Sequence, residues 1–217
     1  LSDDYLNYER ERWLDDLYEE HKPQAIEDFT TDRLRSFYIS NPGLARDSLN
    51  TLLEARHLAV ISPKASLVLA TAAAEVGLKS AILRPIVVGL VHAEAVASHV
   101  ADLVLQHTGV DRFRDLLFAL LNHVAHFDLK VYTRDESTSP LWEEIQGNIR
   151  LRNAVLHRCA EVSPEEAAKA LAVASEVIEV LFARTIEGLG FHLHDGYRVC
   201  QEYHLSAEMN ALLSRRK

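Results

Sequence analysis

The stretch IRLRNAVLHR, residues 149–158, gathers Arg150, Arg152, Asn153, His157 and Arg158 within ten positions and contains no acidic side chain. Histidine is the side chain whose charge ordinarily changes between pH 5 and 8, which makes His157 the natural candidate for acid–base work. An arginine guanidinium is a permanently charged planar fork matched to phosphate oxygens, the role open to Arg152. Asn153 carries both donors and acceptors and lies one helical turn before His157, where it could orient the ring or hold a phosphate. The plainer alternative is a solvated basic face near a helix C-terminus, where cations oppose the helix dipole.

Those side chains need a helix to space them, and the surrounding pattern supplies one. Leu151, Val155 and Leu156 give apolar positions for packing, while Arg150 and Arg158 fall two turns apart. Helical periodicity runs through nearly every segment, and no stretch alternates like a strand for long, so the expected class is all-α. Residues 3–21 form an amphipathic helix that Pro23 ends. A turn at Asn41-Pro42-Gly43 precedes a helix over 44–59. Ser62-Pro63 then offers an N-cap and a first-turn proline for a helix to about residue 83, rich in small residues that permit close packing. Helices are expected around 90–107 and 111–127. The polar run TRDESTSP (133–140) is a loop, and Ser139-Pro140 opens the helix that carries the basic stretch. Ser163-Pro164-Glu165-Glu166 is a capping box starting a long helix that Gly188-Leu189-Gly190 stops. A short helix closes the tail.

Composition narrows the function classes. The chain of 217 residues is 48% hydrophobic and 25% charged, enough for a substantial core. Its net charge of −9 argues against a broad nucleic-acid-coating surface and leaves room for a small basic site. Two cysteines, Cys159 and Cys200, show no framework spacing, which points to a reducing cytoplasm. Glu75 and Lys79 interrupt the most apolar run, Ser66 to Leu83, so no membrane span is read there. His192, His194, Asp195, Cys200 and His204 are zinc-type ligands without a strong zinc spacing, and His123 and His126 or His92 and His99 fit packing better than ligation. No nucleotide-binding glycine loop or nucleophile elbow occurs, so no metal or cofactor is implied.

Arg152-Asn153-x3-His157, an R-x4-H spacing with a polar residue directly after the arginine, resembles the signature of the HEPN superfamily. ASLVLATAAAEVGLKSAIL (65–83) looks like the alanine-rich opening core helix of such domains, and SPEEAAKALAVASEVIEVLF (163–182) like their closing helix. The resemblance covers roughly 61–187. It implies an antiparallel helical bundle over 61–190, with an N-terminal helical extension (1–60) and a C-terminal tail (191–217). Some toxin members carry a tyrosine two residues after the histidine, where this chain has Cys159, so the resemblance reaches the superfamily and not that subtype.

The resemblance implies a metal-independent endoribonuclease, toxin-like or active in stress or defence, cutting single-stranded RNA. Such cutting needs deprotonation of the 2′-hydroxyl, stabilisation of the phosphorane and protonation of the leaving 5′-oxygen. His157 and Arg152 would be catalytic with Asn153, and Arg150 and Arg158 would bind substrate. Glu75 could hold Arg152 if their helices pack, the alternative being a surface carboxylate. An antitoxin or other protein partner fits this class. The alternative function is a non-catalytic HEPN module that binds a nucleotide or a partner protein, and a coincidental motif on a helical scaffold is a third. Residues 152 and 157 point about 140° apart at ~100° per residue, so one helix cannot easily aim both at one phosphate. A homodimer with its site on the two-fold axis would bring each residue beside its mate's partner.

Overall fold

The computed structural model describes residues 31–85, 88, 101, 102, 105 and 109–200. The expected helix over 3–21, the closing helix of the tail and most of the one around 90–107 lie outside the described residues. The described part is mostly helical. Residues 31–40 form α1, and a turn through Asn41–Ala45 leads into α2 (Arg46–Leu58). The central helix α3 (Pro63–Val76) opens on Ser62, whose hydroxyl accepts from the Ala65 N–H, and continues as a π-wound segment over Gly77–Leu83. After a 3₁₀ turn (Val110–Phe113) come α4 (Arg114–Ala125), α5 (Leu141–Arg158) and α6 (Pro164–Ser175). A second π-wound segment (Glu176–Leu181) joins α6 to α7 (Phe182–Gly188). Ser163 and Glu166 close the capping box expected from the sequence.

The central place of α3 comes from its side chains. Leu67, Ala70, Ala73 and Ala74 are buried, and the small volumes of the alanines let α2 and α6 approach closely, with α5 alongside. The helix from Pro63 to Leu83 is long and apolar enough to cross a membrane by length and composition; 61% of its apolar window is buried inside the protein. At its far end Gly77 meets Ile178 of the other π-wound segment, a Cβ there lying 3.3 Å from the isoleucine side chain. Buried Tyr38 of α1 donates its hydroxyl to the Ala81 carbonyl, satisfying a backbone oxygen inside the first π-wound segment. Burial holds that phenol's pKa well above the ordinary tyrosine range. Leu34, Tyr38, Leu52 and Ala55 belong to the same apolar cluster as α3 and α6, so residues 31–60 share one core with the rest of the bundle.

One described element, in a segment (191–204) that sequence patterning leaves unassigned, is not helical. His192–His194 and Arg198–Cys200 pair as an antiparallel hairpin, β1 and β2, with His192 opposite Cys200. Asp195 and Gly196 both have positive φ, as the tight hairpin turn between twisted strands requires. The hairpin is tied back to the start of the fold: the Val199 N–H donates to the Pro42 carbonyl, and Arg46 packs over the Tyr197 ring. Gly188, at the end of α7, touches the backbone of α4 so closely that a Cβ would fall 1.9 Å from the Val124 oxygen.

Candidate functional site

The basic stretch occupies the last three turns of α5. Leu141, Ile145 and Val155 bury one side of this helix, and that packing decides which way the remaining residues turn. Arg150, Asn153 and His157 are exposed together, at positions i, i+3 and i+7 of one face. Neither Arg150 nor His157 makes a side-chain hydrogen bond or ion pair among the described residues. Arg158 is exposed about 80° away from Arg150 around the axis. Cys159 ends the helix in the left-handed conformation, its N–H donating to the carbonyls of Ala154 and Val155. Its thiol is exposed.

Arg152 turns the other way, toward α3. Its Nη1 lies 3.0 Å from Oε2 of Glu75, and its Nη2 donates to Oε1 at 3.3 Å. The two side chains keep 21% and 15% of their exposure, so this is a largely buried bidentate pair between α3 and α5. The contact between Glu75 and Arg152 that packing of the two helices would require is therefore present, and Glu75 is no surface carboxylate. Arg152 Nε is buried with no hydrogen-bond partner among the described residues. Arg152 and His157 thus share no cleft within one chain, as their helical spacing demands. They do not both face bulk solvent either: the arginine is withdrawn and the histidine is open.

A second polar group, which sequence patterning gives little reason to single out, lies on the flank of α5 that faces α6. Glu144 is buried and accepts from Arg134 at 2.8 Å and 3.0 Å, with Lys169 at 3.4 Å. Burial by itself pushes this carboxyl up, but the Arg134 and Ser137 hydrogen bonds and the charges of Arg134 and Lys169 outweigh it. Its pKa is held below the ordinary value. One turn on, buried Asn148 makes no side-chain hydrogen bond among the described residues. Asn148 had one available signal: it stands at i+4 from Glu144 on a face otherwise apolar. Arg134 had none, because it sits in the loop before α5, where periodicity says nothing.

Three clefts formed by described residues stand out, and none of the three is lined by Arg152 or His157. One, of about 390 Å³, runs between α5 and α6 past Gly147, Asn148, Arg150 and Lys169. Arg150 therefore belongs both to this cleft and to the exposed face that carries His157. Among the described residues no three His, Cys, Asp or Glu side chains come together in a metal-binding arrangement. His192 and His194 stand on the hairpin, and His204 lies outside the described residues. Comparison of the chain with protein-family models, with curated proteins and with solved structures finds no match.

Proposed function

We propose that this protein is a HEPN-type, metal-independent endoribonuclease whose active unit is a homodimer acting on single-stranded RNA in the cytoplasm. The observation that carries the reading is the open face of Arg150, Asn153 and His157 on an otherwise acidic molecule. That face offers a proton-transfer group beside a cation and an amide, with no carboxylate pairing either of the first two among the described residues. In the reaction, a base removes the 2′-hydroxyl proton as the 2′-oxygen attacks the adjacent phosphorus. The P–O5′ bond then breaks as an acid protonates the leaving oxygen, giving a 2′,3′-cyclic phosphate and a 5′-hydroxyl. One chain's motif supplies one imidazole, and two copies about a two-fold axis supply both. Glu75 would fix Arg152 at the edge of that shared site, positioning it for the partner's phosphate contact.

The test is cleavage of single-stranded RNA in EDTA, followed by mixing Arg152→Ala with His157→Ala protein under subunit exchange. Each variant alone should lose activity, His157→Ala by ~10²–10⁴-fold with unchanged helix content. The mixture should recover part of it. An active stable monomer, or no rescue despite proven exchange, would refute the shared site; dependence on added divalent metal would refute the chemistry.

A second reading has its own support. Both terminal nitrogens of Arg152 are already taken by Glu75, which suits an arginine that holds two helices together. On that reading the domain is a non-catalytic HEPN module binding a nucleotide or a partner protein. RNA or nucleotide binding without cleavage of any RNA would select it.

A further inference from the structure

The α5–α6 cleft is lined by a largely buried asparagine whose amide has no protein partner among the described residues and opens only to the cleft. Asn148 is only 7% exposed, lines the cleft, and has no hydrogen-bond partner for its amide among the described residues. Two of the three carboxylates around it are engaged. Arg134 and Lys169 neutralise Glu144, and Glu166 is engaged in the capping box of α6. The groups left open are the Asn148 amide on the wall, Arg150 and the Glu143 carboxylate.

We infer that this cleft is a base-binding subsite that receives one unstacked adenine of a single-stranded RNA. An asparagine amide sets a donor beside an acceptor, which complements the N7 acceptor and N6 donor of adenine. Unstacked bases in single strands are the usual target of sequence-specific RNA recognition. A volume of about 390 Å³ accommodates a base. The carboxylates of Glu143 and Glu166 at the edge disfavour a polyphosphate lying along the cleft and favour a single inserted ring. Arg150 links the subsite to the proposed cutting face, standing seven residues and about 10 Å along the helix from His157. That is a span of a few nucleotides, whose stacked rise is ~3.4 Å. The subsite rests on the nuclease reading for its role as a specificity determinant, and on Asn148 and the cleft for its existence.

The experiment titrates the full-length protein with the four ribonucleoside 5′-monophosphates and with ribose 5-phosphate. It follows affinity and the side-chain amide resonances of Asn148. Adenosine monophosphate should move those resonances and bind roughly ten- to a hundredfold tighter than ribose 5-phosphate, the discrimination a bidentate base contact provides. Asn148→Leu, close in size and apolar, should keep helix content and thermal midpoint while losing that preference. Asn148→Asp, which can accept but not donate, should lose it too. Equal affinity for ribose 5-phosphate and adenosine monophosphate, or adenine preference that survives Asn148→Leu, overturns the subsite. Cleavage assays separate the two ideas. His157-dependent cutting with no adenine preference leaves the nuclease reading standing and the subsite refuted. Asn148-dependent adenine binding without any cutting does the reverse.

Discussion

Replacing Glu75 by glutamine tests whether the α3–α5 ion pair fixes Arg152. The substitution keeps the side chain's shape and one acceptor oxygen but sets an amide NH2 against the guanidinium. Removing one member of a fully buried pair typically costs 3–5 kcal/mol, whereas exposed pairs contribute about 0–1. With 21% and 15% of the two side chains still exposed, the pair lies nearer the buried limit without reaching it. Glu75→Gln should therefore destabilise the protein by about 1–3 kcal/mol. At a urea slope of roughly 2 kcal/mol per molar, a loss in the middle of that range lowers the midpoint by about 1 M. The assay is urea unfolding followed by helix signal, run as a double-mutant cycle with Arg152→Met.

The coupling in that cycle distinguishes a positioning pair from an idle one. Arg152→Met alone leaves a largely buried carboxylate and should also destabilise. Glu75→Gln with Arg152→Met, the double variant that closes the cycle, removes both charges and should regain part of the loss, since neither charge is then left buried without its partner. A coupling below about 0.5 kcal/mol, with Glu75→Gln inside the same limit, would refute the claim that Glu75 holds Arg152. It would remove the positioning role proposed for that carboxylate in the shared site.

Four other outcomes are expected. Tyr38→Phe should cost about 1–2 kcal/mol in urea unfolding, because the buried Ala81 carbonyl loses its donor. Gly188→Ala should cost roughly 3 kcal/mol or abolish soluble expression, since its Cβ would fall 1.9 Å from the Val124 oxygen, backbone that cannot yield. Ser163→Ala should cost about 1 kcal/mol by opening the α6 capping box, read as a lower thermal midpoint. Tyr132 is pushed up to about 12 by burial, by its hydrogen bond to Glu176 and by that carboxylate's charge, against Arg184. Its phenol keeps the proton in the folded state where the unfolded chain gives it up, so its contribution is full below about pH 10 and is lost as pH rises toward 12. Thermal midpoints measured across roughly pH 9 to 11 should fall less steeply in Tyr132→Phe.

Much of the helical frame was legible because its signals are local. Ser62-Pro63 and Ser163-Pro164-Glu165-Glu166 mark helix starts by chemistry confined to one turn, and both helices begin there. Their extents, to Leu83 and Gly188, also track the apolar period. The π winding within them was not legible. The two wound segments meet where Gly77 faces Ile178, residues about a hundred positions apart whose contact no periodicity encodes. The hairpin carried a readable sign, Asp195-Gly196 between His192-Leu193-His194 and Arg198-Val199-Cys200. Three-residue strands are, however, too short to alternate convincingly.

The candidate site divides in the same way. Helical spacing alone separates Arg152 from His157 by about 140°, and the fold keeps that separation. Spacing cannot supply which of the two faces is covered. Leu141, Ile145 and Val155 turn Arg152 inward against Glu75 and leave Arg150, Asn153 and His157 outward. This gives the two residues of the motif opposite surroundings. An arginine fixed by a carboxylate keeps its direction through encounter with a substrate, and an exposed imidazole keeps access to water and protons. A single chain therefore presents half of each requirement on opposite sides of one helix. On the nuclease reading proposed above, a second copy would bring its own His157 face to the Arg152 edge, so that each site draws one residue from each chain.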